Sequence, residues 1–346
     1  EEGIDTFHGT AAFTGENEIE VNGEKLQGKN IFIASGAVPG PLSFPDADHL
    51  RKSADFLELE QLPGRIVFVG GGYISFEFAH VAVRAGARVD ILHRGNRCLK
   101  HFDPDLVDLL CEFSKEIGIK VHYNAPAHSV EKTGRGYLVR AGENGDLHLE
   151  ADLVVHGAGR VAAVQEMQLE KGNVDATHKG VVVNEYMQSV SNPRVYAAGD
   201  VTEKGPQLTP VALLEAEVAM QNLLQGNSRP VDYSGIPSVL FTHPPLAQVG
   251  EKEQQLDRQG IPYRKTLKKT DSWAAYKRIG EKPAAAKILV HKERDTVLGA
   301  HILGHGGPEV INLFAAAVRL GHTVEELKSL VWSYPSFGYA LMRHML

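Results

Sequence analysis

Along residues 6–35 apolar and polar side chains alternate between turn residues, the period of half-buried strands. Thr10-Ala11-Ala12-Phe13 leads through Gly15-Glu16-Asn17 to Glu18-Ile19-Glu20-Val21, and then to Asn22-Gly23, a pair that accepts the positive φ of a tight hairpin. Asn30-Ile31-Phe32-Ile33-Ala34 is an apolar run closing on Ser35-Gly36 and predicts a buried strand. Three prolines in residues 39–45 predict a linker. From Arg65 the period changes. Ile66-Val67-Phe68-Val69 predicts a buried strand, glycines follow at once, and a helix of about a dozen residues comes next, with Ile74, Phe78, Val81 and Ala82 on its apolar face. Gly86 closes that helix and Val89-Asp90-Ile91-Leu92 is the next strand, which completes one βαβ unit of a doubly wound sheet.

Asp103-Pro104 opens a further amphipathic helix within Phe102–Ile117, since Asp caps free N–H groups and Pro fits the first turn. Residues 119–155 predict strands and hairpins ending at Asp152-Leu153-Val154-Val155. Residues 181–201 predict two more strands, the last closing at Val195-Tyr196-Ala197-Ala198-Gly199-Asp200, and Pro210–Leu224 a helix. Beyond Gly226 and Pro230, residues 238–303 are strand-rich, with helices near 251–259 and 308–320, as in an α+β domain.

Length makes this a chain of two or three domains: 346 residues with 43% hydrophobic content exceed one ordinary core. The formal net charge of -7 argues against a nucleic-acid binder, and no apolar run is long enough to span a bilayer. Glu1-Glu2-Gly3 lacks the basic start and apolar core of a signal peptide, so a soluble cytoplasmic protein is expected. The chain opens without Met on strands that read as mid-fold, which suggests a piece lacking an N-terminal segment. Its two cysteines, Cys98 and Cys111, fit neither a metal knuckle nor a CxxC pair and read as packing thiols. No His/Cys/Asp cluster has metal-ligand spacing, so no metal is expected.

The candidate chemistry sits in Gly70-Gly71-Gly72-Tyr73-Ile74-Ser75, between a strand and a helix. That context makes a glycine pattern informative. Gly70 allows the tight turn, Gly72 lets the backbone approach a pyrophosphate, and Ser75 is small enough for close packing of helix on strand. The helix N-terminus supplies free N–H groups and a positive dipole end for phosphates. The alternative is a turn whose glycines merely fit the backbone. At the end of the second strand an NAD site usually carries an acid for the ribose hydroxyls. Here the chain reads Leu92-His93-Arg94, with Arg97 and Lys100 behind, a set suited to a 2′-phosphate and hence to NADPH. A solvated basic loop is the other reading.

With these motifs in order, nearly the whole chain resembles the C-terminal three quarters of a glutathione reductase or dihydrolipoamide dehydrogenase, the flavin-dependent pyridine nucleotide-disulfide reductases. Ile31–Ala37 with Pro39 resembles the strand and turn leaving the first part of the FAD domain. Gly70–Glu77 resembles the nicotinamide-nucleotide fingerprint, with its Tyr and Glu. Gly157-Ala158-Gly159-Arg160 resembles the turn that returns from the NADPH domain, and Val195–Val201 the second FAD motif. Leu208–Ala212 resembles the helix start beneath the flavin; Phe241–Gly250 and Val297–His301 resemble the interface domain.

The resemblance implies an α/β fold: a Rossmann-type NAD(P)-binding domain at 41–164, part of a second Rossmann-type FAD domain at 1–40 and 165–231, and an α+β dimerisation domain at 232–346. It implies FAD and NADPH as cofactors and a homodimer. Gly70, Gly72, Ser75 and Gly159 would serve the dinucleotide, and His93, Arg94 and Lys100 its 2′-phosphate end. Ala34, Gly36, Gly199, Asp200 and Thr209 would contact FAD. Tyr73 would stack over the flavin and move aside for nicotinamide, and Glu77 would orient the nicotinamide.

Two departures bear on activity. The family's first FAD motif and redox CxxxxC would lie before residue 1. At the C-terminus, where these reductases carry a His and a Glu as an acid–base dyad, Tyr334 and Tyr339 stand instead. A phenol with a pKa near 10 is a poor proton shuttle at neutral pH. Tyr334 would donate a hydrogen bond or ligate a soft substrate, or the pair simply packs. His243, His301 and His344 read as structural or exposed. The expected function is therefore hydride transfer from NADPH to flavin and on to a glutathione-like disulfide. The alternatives are reduction of quinone, oxygen or a metal ion without a dyad, and a non-catalytic nucleotide-binding fragment.

Overall fold

A computed structural model describes residues 3–346; Glu1 and Glu2, with which the signal-peptide reading begins, lie outside the described residues. The chain divides into two compact units, one of Glu1–Gly40 with Arg160–Tyr233, the other of Pro41–Gly159 with Ser234–Leu346. Among the described residues no helix is long and apolar enough to cross a membrane.

In the first unit, strands Ala11–Gly15, Glu18–Val21 and Glu24–Gln27 form an antiparallel meander. Its second turn is Asn22-Gly23, with φ of 53° and 85°, the left-handed pair that the sequence led one to expect. Strands Ile31–Ile33 and Val195–Ala197 pair in parallel, 164 residues apart, with Ile31 opposite Val195 and Ile33 opposite Ala197. Phe13, Ile33, Val181, Val195 and Val218 belong to the core around this pair. Helix Thr209–Gln225 buries Val211, Glu215, Val218, Ala219 and Asn222 on one face.

The second unit holds a four-stranded parallel sheet in the order Leu153–His156, Arg65–Val69, Arg88–Leu92, Ile119–His122. Strands buried on both faces need continuous apolar runs, and Ile66, Val67, Phe68 and Val69 supply one. Helix Tyr73–Arg84 packs on this sheet through Ser75, Phe76, Ala79, His80 and Ala82, a set spaced near 3.6 residues. The expected face was wrong at Val81, which is 60% exposed, while Ile74 and Phe78 are half-buried. Phe76, Ala79 and Ala82 lie one row over, and full burial of a side chain like Phe76 stabilises by about 1.5–3 kcal/mol.

The C-terminal part of this unit is a five-stranded antiparallel sheet in the order Ser238–Leu240, Leu246–Gly250, Val297–Leu303, Ala285–His291, Tyr263–Lys269. Helix Gly307–Leu320 packs on it through Val310, Ile311 and Phe314. Helices Ala274–Ile279, Val324–Ser329 and Phe337–His344 were not anticipated; at six, six and eight residues they are too short to show a clear period.

A buried ion cluster ties this sheet to the nucleotide half. Asp103 caps helix Pro104–Glu116 by accepting the N–H groups of Asp105 and Leu106. Its other oxygen meets Lys287 Nζ at 2.8 Å, and the same ammonium reaches Asp105 at 2.7 Å and Glu253 at 2.6 Å. Asp103 and Lys287 are 0% and 1% exposed.

Candidate functional site

The turn after strand Arg65–Val69 is built by close backbone packing. Gly70 has φ 114°, and a Cβ there would stand 2.1 Å from the Gly157 carbonyl oxygen. A Cβ on Gly71 would stand 2.4 Å from Cys98 Sγ and 2.8 Å from His93 Nδ1. The chain itself therefore demands glycine at both positions. Gly72 differs: its φ of -108° suits any residue, and a Cβ would meet only the Gly157 oxygen at 3.8 Å. The space before Gly72 is open. Gly72 is also the N-cap of helix Tyr73–Arg84, so no side chain caps it, and the N–H groups of Gly72, Tyr73 and Ile74 find no backbone acceptor among the described residues. The Ser75 hydroxyl is buried without a partner, and a Cβ on Gly157 would fall 2.0 Å from it. Uncapped donors, an open glycine and a positive dipole end fit the pyrophosphate of a dinucleotide.

Two neighbours frame the turn. Gly70 N–H donates to Leu92 O at 2.8 Å, and Leu99 N–H to Gly71 O at 3.0 Å, which fastens the loop after strand Arg88–Leu92 to the glycines. Gly157 donates to Val69 O at 2.8 Å and is the packing partner of both Gly70 and Ser75, a long-range role that the Gly157–Arg160 motif does not reveal. Gly159 is exposed, with φ 111° and nothing beside it. His93 turns back onto its own loop, its Nε2 donating to Arg97 O at 2.8 Å, and burial pushes its pKa down. Arg97 pairs with Asp108 at 2.8 Å. Arg94 and Lys100 are exposed and meet no carboxylate among the described residues, so both remain available to an anion.

Tyr73 rests its ring against Phe102, with centroids 5.2 Å apart, and bonds Ser238 through its hydroxyl; burial raises its pKa. Glu77 accepts the Phe241 N–H at 2.8 Å, and burial raises its pKa against that bond. One turn on, His80 is 2% exposed. The Ser114 hydroxyl donates to Leu110 O at 2.7 Å, so it accepts the His80 Nε2–H at 2.9 Å. His80 Nδ1 is then an acceptor for His243 N–H at 3.2 Å. Burial, and then the Arg84 charge, push its pKa down to about 4. Against an unfolded value near 6.5, the unfolded chain binds the extra proton between those pH values, so stability is full above 6.5 and falls as pH drops towards 4. Thermal melts should show a loss of order 3 kcal/mol over this window, reduced in His80→Gln. The same pH dependence in wild type and His80→Gln would contradict the assignment.

In the first unit the parallel pairing of Ile31–Ile33 with Val195–Ala197 brings Ala34 and Gly36 beside Gly199 and Asp200 at the carboxyl ends of both strands, the place where α/β sheets bind ligands. Ala34 is exposed, and a Cβ on Gly36 would meet nothing within 4 Å. A Cβ on Gly199 would meet Ala212 Cβ at 3.1 Å, so the first turn of helix Thr209–Gln225 lies against it and sets exposed Thr209 at the same edge. The Asp200 carboxylate has no hydrogen bond or ion pair among the described residues, which suits it to accept from hydroxyls such as those of a ribityl chain. These residues fit a flavin nucleotide. Sequence reasoning missed Glu215, whose buried carboxylate accepts the Gly199 N–H and the Tyr233 hydroxyl, both at 2.7 Å, and whose pKa burial raises. The signal was an acid at a core position, four residues after Val211 and three before Val218.

Tyr334 lies apart from the glycine turn in sequence and is 72% exposed. Its ring meets Tyr339 edge-on at 5.0 Å, and both line a cavity of about 350 Å³ with Trp273 and His344. Cys98 is buried and Cys111 half-buried, both as free thiols in packing positions. Asp46, Asp48 and His49 bring one ligand atom each within 4.8 Å of the others at the surface, a grouping that no spacing rule had flagged.

A Rossmann-type parallel sheet with an open glycine turn, followed by an antiparallel sheet with its own helices, defines a dinucleotide-binding chain with an added interface-type domain. The chain belongs to the pyridine nucleotide-disulphide oxidoreductase family, which residues 1–216 match, and residues 236–344 match that family's dimerisation domain. It is 33% identical over 332 residues to a mercuric reductase of Staphylococcus aureus, covering 94% of this chain and 60% of the relative. A glutathione reductase of Burkholderia cepacia is 31% identical over 343 residues, with 97% and 74% covered. Among solved structures, a Cu(II) complex of a cysteine mutant of the HOCl-induced flavoprotein disulfide reductase RclA from Escherichia coli superposes with a TM-score of 0.90 at 25% identity, covering 98% of this chain and 78% of that one. The chain spans 60%, 54% and 62% of the length of three mercuric reductases that it matches.

Proposed function

We propose that this chain is the nucleotide-binding and dimerising part of an FAD-dependent NADPH oxidoreductase. The observation that carries the reading is Gly72, a glycine that the chain's own packing does not require, at the head of an uncapped helix. Gly70, Gly72 and Ser75 set the backbone that holds the pyrophosphate, and Arg94 and Lys100 take the 2′-phosphate. Tyr73, anchored by Ser238, covers the reacting face, and Glu77 orients the nicotinamide end from its bond to Phe241. Ala34, Gly36, Gly199, Asp200 and Thr209 hold the flavin, with Glu215 fixing the Gly199 N–H. The bound flavin supplies the chemistry of accepting a hydride, while the protein supplies position and electrostatics. A C-terminal domain of the dimerisation type supports a homodimer.

The family's usual acceptor is a disulfide. A second reading, an acceptor such as a metal ion, quinone or oxygen, is favoured by Tyr334 and Tyr339, which bring two phenols where a dyad would need an imidazole and a carboxylate. Purified protein should show a flavin spectrum that bleaches faster with NADPH than with NADH. Arg94→Ser should cut that preference by about tenfold or more, the worth of a charge-assisted hydrogen bond. A protein without a flavin band contradicts the FAD assignment, and equal rates with both nucleotides contradict the role of Arg94.

A further inference from the structure

A cavity of about 440 Å³ opens between the loop that follows strand Arg88–Leu92 and helix Glu253–Gln259 of the C-terminal sheet domain. Arg97 and Lys100 line it from the loop, Lys252 and Arg258 from the helix, and Gln254 and Gln255 add amides. The charges in it are unbalanced. Arg97 has Asp108. Lys100, Lys252 and Arg258 meet no carboxylate among the described residues. The nearby acids Asp103, Asp105 and Glu253 are engaged by Lys287, and Glu253 by Lys265 as well. Lys252 instead donates to the carbonyl oxygens of Lys100 at 3.2 Å and His101 at 3.1 Å, and Arg258 Nε to Gln254 O at 2.9 Å. Burial lowers the Lys252 pKa and the Arg258 charge adds to that shift, while the charges of Asp103 and Glu251 oppose it.

Lys100 links this cavity to the nucleotide turn: its Nζ lies 3.8 Å from the point where a Gly95 Cβ would stand, and His93 Nε2 lies 3.2 Å from the same point. The cavity is a pit with cations from two sides, which suits a compact dianion with several acceptor oxygens better than an extended polyanion. We propose that it is a phosphate-monoester subsite, in which Lys252 and Arg258 of the C-terminal domain act with Arg97 and Lys100 of the nucleotide loop. Two sources share this chemistry: the 2′-phosphate of NADPH, in which case the inference rests on the cofactor reading above, or a free phosphorylated ligand. In the first case the C-terminal domain helps to select NADPH over NADH; in the second it carries an anion site of its own.

Calorimetric titration of the protein with NADPH, NADH and inorganic phosphate at fixed ionic strength separates these. The variants are Lys252→Gln, Arg258→Gln and the double change, with Lys252→Arg keeping the charge and far-UV circular dichroism checking the fold. A 2′-phosphate in the pit predicts an NADPH affinity about tenfold weaker per cation removed, NADH unchanged, and recovery in Lys252→Arg. A free ligand predicts saturable phosphate binding that the double variant loses while NADPH is unaffected. Either supports the subsite. Arg258→Gln, at an exposed position, keeps the test open if Lys252→Gln does not fold. NADPH binding identical in wild type and double variant, with no phosphate binding, overturns the subsite and leaves the cofactor reading intact. Phosphate binding lost in the double variant, with no NADPH binding to wild type, does the reverse.

Discussion

Replacing Lys287 with Met lowers stability by about 3–5 kcal/mol. The ammonium is 1% exposed and neutralises three carboxylates, of which Asp103 is 0% exposed. Removing it leaves Asp103 charged and dry, and a buried charge without a partner is among the costliest states a fold can hold. The other partners of Asp103 are the N–H groups of Asp105 and Leu106, at 3.1 and 3.4 Å, which together do not balance a full charge. Adding Asp103→Asn to Lys287→Met should recover a large part of the loss, because Asn caps a helix as well as Asp and brings no charge. Guanidinium denaturation of wild type, single and double variants reads this directly. A single variant within 1 kcal/mol of wild type would mean that the cluster is open to water.

Gly72→Ala should weaken NADPH binding at least tenfold while changing stability by no more than about 1 kcal/mol. Its φ of -108° accepts Ala, and the nearest atom to the new Cβ is 3.8 Å away. The small cost is that of Ala at an N-cap. The loss of affinity comes from a methyl group standing where the pyrophosphate must approach, and 1.4 kcal/mol already makes a factor of ten. Gly70→Ala should behave differently. Its Cβ would lie 2.1 Å from the Gly157 oxygen at φ 114°, so it loses stability and binding together. A Gly72→Ala protein that binds NADPH like wild type would return the glycines to a purely structural role.

The pattern of apolar residues carried the parallel sheet and its helix far into the sequence. Ile66 to Val69 is a short apolar run of the kind that doubly covered strands show, Val89 to Leu92 is apolar but for Asp90, and Asp103-Pro104 marks a helix start whose cap the structure shows. The Asn22-Gly23 hairpin was legible because its backbone angles exclude most residues. The face of helix Tyr73–Arg84 was misjudged because hydrophobicity alone ranks Val81 with Ala79, and only packing tells them apart. Long-range pairs were invisible. Glu215 with Gly199, Lys287 with Asp103 and His80 with Ser114 join residues 16, 184 and 34 positions apart, and no local period encodes them. For the site, the glycines and the basic loop could be read, but the engagement of Arg97 by Asp108 and the freedom of Arg94 could not. Those depend on how the loop folds back onto Gly71, through Leu99 and Cys98.

The most direct test of the central claim is a titration of the purified chain with NADPH, followed by the fluorescence of the reduced nicotinamide, with NADH and Gly72→Ala in parallel. The account predicts saturable binding of NADPH, tighter than that of NADH and lost in Gly72→Ala. Absence of saturable NADPH binding to a folded wild-type protein would contradict it.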